Sequence, residues 1–183
     1  MEQKETLKKI VISTLGPAGT CSEYASQYYI DKNNYDGRIE LYPTFEESVA
    51  ALKYGKSDCV IIPSAYAKLA EIIFQELIFI EIADVFKLAT PNLVIANKGD
   101  VKEIKKVATH SSPSSLAKNY FPNAQLVLAK SNSEAAKMLL ASEVDACITT
   151  IMCAEKHSLN VIRDFGGIAM GWNVFKRKQC NLE

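Results

Sequence analysis

Short apolar runs that end at proline or threonine place the strongest constraint on how this chain folds. The run Cys59-Val60-Ile61-Ile62 stops at Pro63, and Ala146-Cys147-Ile148 stops at Thr149. Continuous apolar runs of this length are typical of strands buried on both faces of a parallel sheet. Helical patterns follow several of these runs, and alternating strands and helices are typical of α/β layers. We therefore predict an α/β fold with a mainly parallel sheet.

Serine and threonine residues mark where the helices begin. Capping boxes at residues 44–47 and 131–134 predict helices to about residues 53 and 140, because each hydroxyl and glutamate satisfy each other's backbone N–H groups. Ser112 and Pro113 predict the N-cap and first turn of another helix.

The strand–helix series restarts after Pro91, which predicts a second lobe. We expect residues 1–90 and 151–183 to form lobe 1, with the late strands returning to it. Residues 91–150 are expected to form lobe 2.

Charge and composition exclude several kinds of partner. The 183 residues carry 21 basic and 21 acidic side chains without a basic run, which argues against binding to nucleic acid or to an anionic membrane surface. No apolar segment is long enough to span a bilayer, and the first residues do not resemble a signal peptide. We expect a cytoplasmic protein.

The cysteines and histidines make a metal site unexpected. The five cysteines have no C-x-x-C spacing, and only His110 and His157 could add imidazole ligands. We predict free thiols, no metal and no cofactor. The cysteines are Cys21, Cys59, Cys147, Cys153 and Cys180.

A glycine-rich turn joins the first predicted strand to the first helix. Gly16 and Gly19 allow a ligand to approach the backbone, and the free N–H groups of the following helical turn attract an anion. The spacing is neither the dinucleotide fingerprint nor the P-loop, and no lysine follows the second glycine. The turn therefore indicates a small anion such as a carboxylate, with an ordinary β–α turn as the alternative.

Hydroxyl residues recur at four predicted β–α junctions, at residues 20–22, 64, 109–115 and 131–133. The carboxyl ends of parallel strands share one edge of a sheet, where ligands bind. The chain has three arginines, so a bound dianion would rely largely on neutral donors, at about 1.5–3 kcal/mol for each hydrogen bond to a charged group. We predict a cleft for a small acid.

The motif from Thr14 to Ala25 resembles the opening motif of the prephenate dehydratase family. Pro63 and the segments 109–113 and 131–136 follow in the family's order and spacing, so the resemblance spans about residues 10–176. It implies the two-lobe type II periplasmic-binding-protein-like fold of the dehydratase catalytic domain, with the substrate between the lobes. Typical members carry a C-terminal regulatory domain that senses phenylalanine, and we expect this chain to lack it.

The chain departs from dehydratases at two places. Dehydratases carry Thr-Arg-Phe on the last strand, and the threonine is taken to protonate the leaving hydroxyl; here Gly171-Trp172-Asn173 stands instead. Ala65-Tyr66 replaces the usual Glu-Asn pair after Pro63. Both changes resemble the bacilysin-pathway prephenate decarboxylases, which remove carbon dioxide without aromatising the ring.

The resemblance therefore implies the decarboxylation of prephenate to a dihydro-4-hydroxyphenylpyruvate. The product would serve the biosynthesis of a bacilysin-like, anticapsin-like or other non-proteinogenic amino acid. The alternatives are a dehydratase that forms phenylpyruvate and a non-catalytic module that binds small acids.

A ring carbon must then accept a proton, which calls for a general acid. His110 is the candidate, Tyr66 and Glu23 are its rivals, and a positioned water remains an alternative. Trp172 is expected to pack against the substrate ring or the core. We expect prephenate as the small-molecule partner and a homodimer as the assembly. The expected substrate-binding residues are Gly16, Pro17, Gly19, Thr20, Ser22, Ala65, Thr109, Ser111, Ser112, Ser131, Asn132, Ser133, Gly171 and Trp172.

Overall fold

A computed structural model describes residues 7–99 and 103–179, and the chain folds as two compact units. Unit 1 contains the chain up to Thr90 and again from Ala169, and unit 2 contains Pro91–Ile168. The first crossing lies where it was predicted. The assignment of residues 151–168 to the first lobe is wrong, because the strand Asn160–Asp164 pairs inside the sheet of unit 2.

Unit 1 is a five-stranded sheet with three helices. In chain order its elements are β1 (Lys9–Leu15), α1 (Cys21–Lys32), β2 (Asp36–Tyr42), α2 (Phe45–Lys53), β3 (Cys59–Pro63), α3 (Leu69–Gln75), β4 (Ile80–Ala89) and, after unit 2, β10 (Ala169–Arg177). The strand order is β2-β1-β3-β10-β4.

Unit 2 repeats this plan with a second five-stranded sheet. Its elements are β5 (Leu93–Asn97), β6 (Lys106–His110), α4 (Ser114–Tyr120), β7 (Gln125–Ala129), α5 (Asn132–Leu140), β8 (Ala146–Thr150), α6 (Ile151–Lys156) and β9 (Asn160–Asp164). The strand order is β7-β6-β8-β5-β9.

Both sheets are mixed: most strands run in one direction, as expected, and one strand in each sheet is reversed. In each unit four strands run in the same direction, and the fifth, β10 in unit 1 and β5 in unit 2, runs antiparallel to its two neighbours. The reversed strand of each unit is the first strand after a crossing between the units. β5 and β10 enter their sheets directly from the other unit without a crossover helix before them, so nothing requires them to run parallel.

The helix starts follow the capping chemistry at two of the three predicted sites. The Thr44 and Ser131 hydroxyls accept hydrogen bonds from backbone N–H groups three residues later, as capping boxes require. The prediction of Ser112 as an N-cap is wrong: α4 begins at Ser114, after Pro113, without a side-chain cap. Pro113, which is buried, stands at the N-cap position instead.

The central strands form the cores of the two units. Residues 59–62 of β3 and all of β8 are buried, as the apolar runs predicted. Cys21, Cys59, Cys147 and Cys153 are free thiols, as predicted, whereas Cys180 lies outside the described residues. Burial raises the pKa of the Cys21 thiol to about 11, which makes it a poor nucleophile. Within the described ranges, no helix is long and apolar enough to cross a membrane.

Candidate functional site

In unit 1 the predicted site segments meet at one edge of the sheet. The parallel strands β1 and β3 both end there, and the Thr14 hydroxyl donates to the Ile61 carbonyl at 2.8 Å. β10 begins beside the end of β3, where the Ser64 N–H donates to the Gly171 carbonyl at 2.8 Å. The unit 1 edge therefore brings together the glycine-rich turn, residues 64–66 and Gly171.

The glycine-rich turn is closed by its own carboxylate. The Thr20 hydroxyl accepts from the Glu23 N–H at 3.2 Å and donates to the Leu15 carbonyl at 2.9 Å. The Glu23 carboxylate accepts in turn from the Gly19 N–H. Glu23 therefore closes a capping box at the start of α1 and already occupies part of the positive end of the helix. Of the other predicted residues here, Pro17 is exposed and Ser22 is buried.

Tyr66 is tied to a neighbouring carboxylate. Its hydroxyl donates to Glu46 at 3.0 Å, and its ring packs against Phe45 with 4.7 Å between the ring centroids. Burial, with the hydrogen bond and the charge of Glu46 adding to it, raises the pKa of Tyr66 to about 12. The phenol is therefore a weak acid at neutral pH. Ala65 beside it is exposed.

Gly171 lies against Ser64. A Cβ atom built on Gly171 would lie 2.8 Å from Ser64 Oγ, closer than real Cβ contacts come. The side chain of Asn173, two residues later on β10, donates to Ser64 Oγ at 3.1 Å. The Ser64 hydroxyl therefore occupies the space that a side chain at position 171 would take.

Trp172 belongs to the core of unit 1. Its side chain is 1% exposed, stacks near Phe86 and donates from Nε1 to the Leu88 carbonyl at 3.1 Å. Of the two roles expected for Trp172, this placement favours packing in the core over contact with a substrate ring.

In unit 2 the remaining predicted segments also share one edge. β6 ends at His110, which lies opposite Ala129 at the end of β7, and the Thr149 hydroxyl at the end of β8 donates to the Asn132 carbonyl at 2.9 Å. The unit 2 edge therefore brings residues 109–112 and 131–133 together, and Ser131 caps α5 there.

His110 is half-buried, and its ring orientation follows from one hydrogen bond. The Ser112 N–H donates to Nδ1 at 3.3 Å. A nitrogen that accepts carries no proton, so the neutral ring carries its proton on Nε2. Burial lowers the pKa of His110 below its ordinary value. The Thr109 hydroxyl is used locally, since it donates to the His110 carbonyl at 3.0 Å. Ser111 and Ser112 are exposed.

Asn132 supplies an unsatisfied acceptor at the unit 2 edge. Among residues 7–99 and 103–179, its buried Oδ1 atom is recorded without a hydrogen-bond partner. A buried acceptor left without a donor costs about 1–3 kcal/mol, so a bound hydroxyl or water would be favourable there.

Sequence reasoning missed Asn173 and Lys87, which lie beside Gly171. Asn173 is 8% exposed, and Lys87 is exposed opposite Gly171 in the strand register. The available signal for Asn173 was a single amide within the apolar run of β10. No signal pointed to Lys87, because its position depends on the pairing of β4 with β10. In the part of the chain that the structure describes, no cluster of His, Cys, Asp or Glu is arranged to hold a metal ion.

Comparison with family models and curated proteins identifies the family. A family model described as prephenate dehydratase matches residues 12–165. A curated relative, the prephenate decarboxylase of Bacillus subtilis strain 168, is 26% identical over 96% of this chain and 91% of its own length.

Solved structures share the fold at lower sequence identity. Prephenate dehydratase from Arthrobacter aurescens, solved in complex with L-Phe, matches 93% of this chain at 20% identity with a TM-score of 0.73. This chain spans only 61% of the length of that structure. The periplasmic VFT2 domain of Bordetella pertussis BvgS matches 92% of this chain and 80% of its own length, at 17% identity and a TM-score of 0.59. The two-lobe periplasmic-binding-protein-like fold is thereby confirmed.

Proposed function

Since the chain belongs to the prephenate dehydratase family, we propose that it decarboxylates prephenate without aromatising the ring. The observation that carries this proposal is the likeness to the prephenate decarboxylase of Bacillus subtilis over 96% of the chain. Gly171 supports the non-aromatising branch, because it stands where dehydratases carry the threonine of their Thr-Arg-Phe motif, as in the decarboxylases that the chain resembles.

The proposed reaction balances with one proton and no cofactor. The bond between the ring and its carboxylate breaks, carbon dioxide leaves, and the electron pair shifts through the ring. A ring carbon accepts a proton while the ring hydroxyl stays, which gives a dihydro-4-hydroxyphenylpyruvate. Dehydration would require an acid at that hydroxyl instead.

We assign the general acid to His110. The Tyr66 hydroxyl donates a hydrogen bond to Glu46 and has a raised pKa, which makes it a weak acid. The Glu23 carboxylate accepts a hydrogen bond within its capping box. His110 is half-buried and carries no carboxylate partner among its recorded hydrogen bonds in the described ranges. The proposal assigns substrate binding to hydroxyl and backbone groups at the unit 1 edge and at the unit 2 edge, as the motifs imply.

Incubation of the protein with prephenate, followed by NMR of the products, tests the function. We expect a non-aromatic dihydro acid with its ring hydroxyl retained, above the spontaneous decay of prephenate. Phenylpyruvate as the main enzymatic product would instead identify a dehydratase. Binding of prephenate without turnover would identify a binding module.

The cellular setting and the assembly also belong to the proposal. The free thiols agree with a cytoplasmic enzyme, and the product suits a pathway to a bacilysin-like amino acid. The exposed apolar side chains of Phe74 in α3 and of Leu77 and Ile78 after it favour a homodimer that covers them. Sedimentation equilibrium at the mass of one chain would contradict the dimer.

Introducing threonine at Gly171 should not, by itself, produce a dehydratase. Its Cβ would lie 2.8 Å from Ser64 Oγ, so the side chain and Ser64 compete for space. We expect at most a trace of phenylpyruvate from Gly171→Thr and a larger share from Gly171→Thr with Ser64→Ala, which removes the clashing atom. The product ratio by NMR measures this. Equal ratios for the single and double variants would show that the contact does not limit the new hydroxyl.

A further inference from the structure

The Ser64 oxygen has a defined acceptor role because of the group that binds it. Asn173 Nδ2 donates to Ser64 Oγ at 3.1 Å and to the Ile62 carbonyl at 3.2 Å. An amide nitrogen only donates, so Ser64 Oγ must be the acceptor in this pair and its own proton points elsewhere. No acceptor for that proton is recorded among residues 7–99 and 103–179, and Ser64 is exposed.

The backbone around this pair holds Ser64 in place. The Ser64 N–H donates to the Gly171 carbonyl at 2.8 Å, and Asn173 is buried within β10. Gly171 has no Cβ, and the Ser64 hydroxyl fills the space where one would lie. The result is a serine hydroxyl that is held in place, with its proton available to an acceptor, at the edge of unit 1 where β3 ends.

The charge of a neighbouring residue indicates which group accepts the hydrogen bond from the Ser64 hydroxyl. Lys87 is exposed and lies opposite Gly171 in the register of β4 and β10, so a cationic residue is the strand neighbour of the glycine that Ser64 packs against. A hydroxyl donor and an ammonium group together suit a carboxylate, and hydrogen bonds to charged groups are the stronger ones.

We propose that Ser64 donates a hydrogen bond to a carboxylate oxygen of the bound substrate, and that Asn173 is the positioning residue that directs this proton. The inference rests on the proposed function in taking prephenate as the substrate. Ser64 then contributes binding energy rather than acid catalysis, because its proton goes to a carboxylate that is already ionised.

Steady-state kinetics with prephenate separates these roles. We expect Ser64→Ala to raise KM about 10–100-fold with kcat little changed, the signature of a lost binding interaction. Asn173→Asp replaces the donor by an acceptor of the same shape, which would capture the Ser64 proton. KM should rise similarly, and in the Ser64→Ala background the same change should add little, since the two residues act as one unit.

Matched controls keep the test decisive. Asn119→Asp makes the same chemical change on an exposed residue of α4 and should leave KM unchanged. Thermal unfolding of each variant checks the fold. Ser64→Ala removes only an exposed hydroxyl, so it decides the proposal even where Asn173→Asp does not fold.

Each unexpected result would overturn a different proposal. An unchanged KM for Ser64→Ala in an enzyme that converts prephenate would overturn the role of Ser64 and leave the proposed function standing. Additive effects of the two changes would overturn the positioning role of Asn173. A wild-type protein that neither binds nor converts prephenate would overturn both proposals.

Discussion

Replacing His110 by glutamine is expected to lower kcat/KM for prephenate by about 10²-fold or more, the contribution typical of a general acid. The acid must be protonated, and burial lowers the pKa of His110 by disfavouring the charged imidazolium. Wild-type kcat/KM should therefore fall as the pH rises through a pKa below the ordinary value for histidine. The pH–rate profile of His110→Gln should lack this decline.

The second histidine supplies the control for this experiment. His157 follows α6 and carries no proposed role, so His157→Gln should keep both the rate and its pH dependence. If kcat/KM of His110→Gln still falls with rising pH as in the wild type, another group, such as a positioned water, donates the proton to the ring.

Removal of the Trp172 side chain should have the largest effect on stability. The indole is 1% exposed and packs with Phe86 and Val174 in the core of unit 1, and its Nε1 donates to Leu88. Truncation of a buried tryptophan to alanine leaves a cavity and costs about 3–5 kcal/mol. We expect Trp172→Ala to lose that much free energy of unfolding in urea.

A surface aromatic residue provides the comparison. Tyr54 is 74% exposed, so Tyr54→Ala should change the free energy of unfolding by no more than about 0.5 kcal/mol. Trp172→Phe keeps most of the packing and should lie between the two. A Trp172→Ala variant as stable as Tyr54→Ala would show that the indole is not a core residue.

Local patterns predicted the parts of the fold that depend on neighbouring residues. The apolar run of β3 and the capping boxes at Thr44 and Ser131 could be read from four to six residues, because strand burial and helix capping are local effects. The second crossing between units could not be predicted from local patterns, because it depends on the pairing of β9 with β5, more than sixty residues earlier.

The candidate site divides in the same way. The hydroxyl residues at the ends of parallel strands were predicted, because strand direction alone brings them to one edge. The side chains that these residues contact were not predicted. Tyr66 meets Glu46 on α2, and Ser64 meets Asn173 across two antiparallel strands, so each contact depends on tertiary pairing.

The pairing of Ala89 with Ala169 shows that unit 2 is inserted between two adjacent strands of unit 1. β4 and β10 run antiparallel and adjacent, so without residues 91–168 they would form the two arms of a β-hairpin. A two-residue turn such as Asn-Gly closes hairpins of this kind. Unit 2 thus stands where a hairpin loop would connect β4 to β10. The sheet of unit 1 takes no strand from the segment between those two alanines, which makes this position a natural place to shorten, replace or graft.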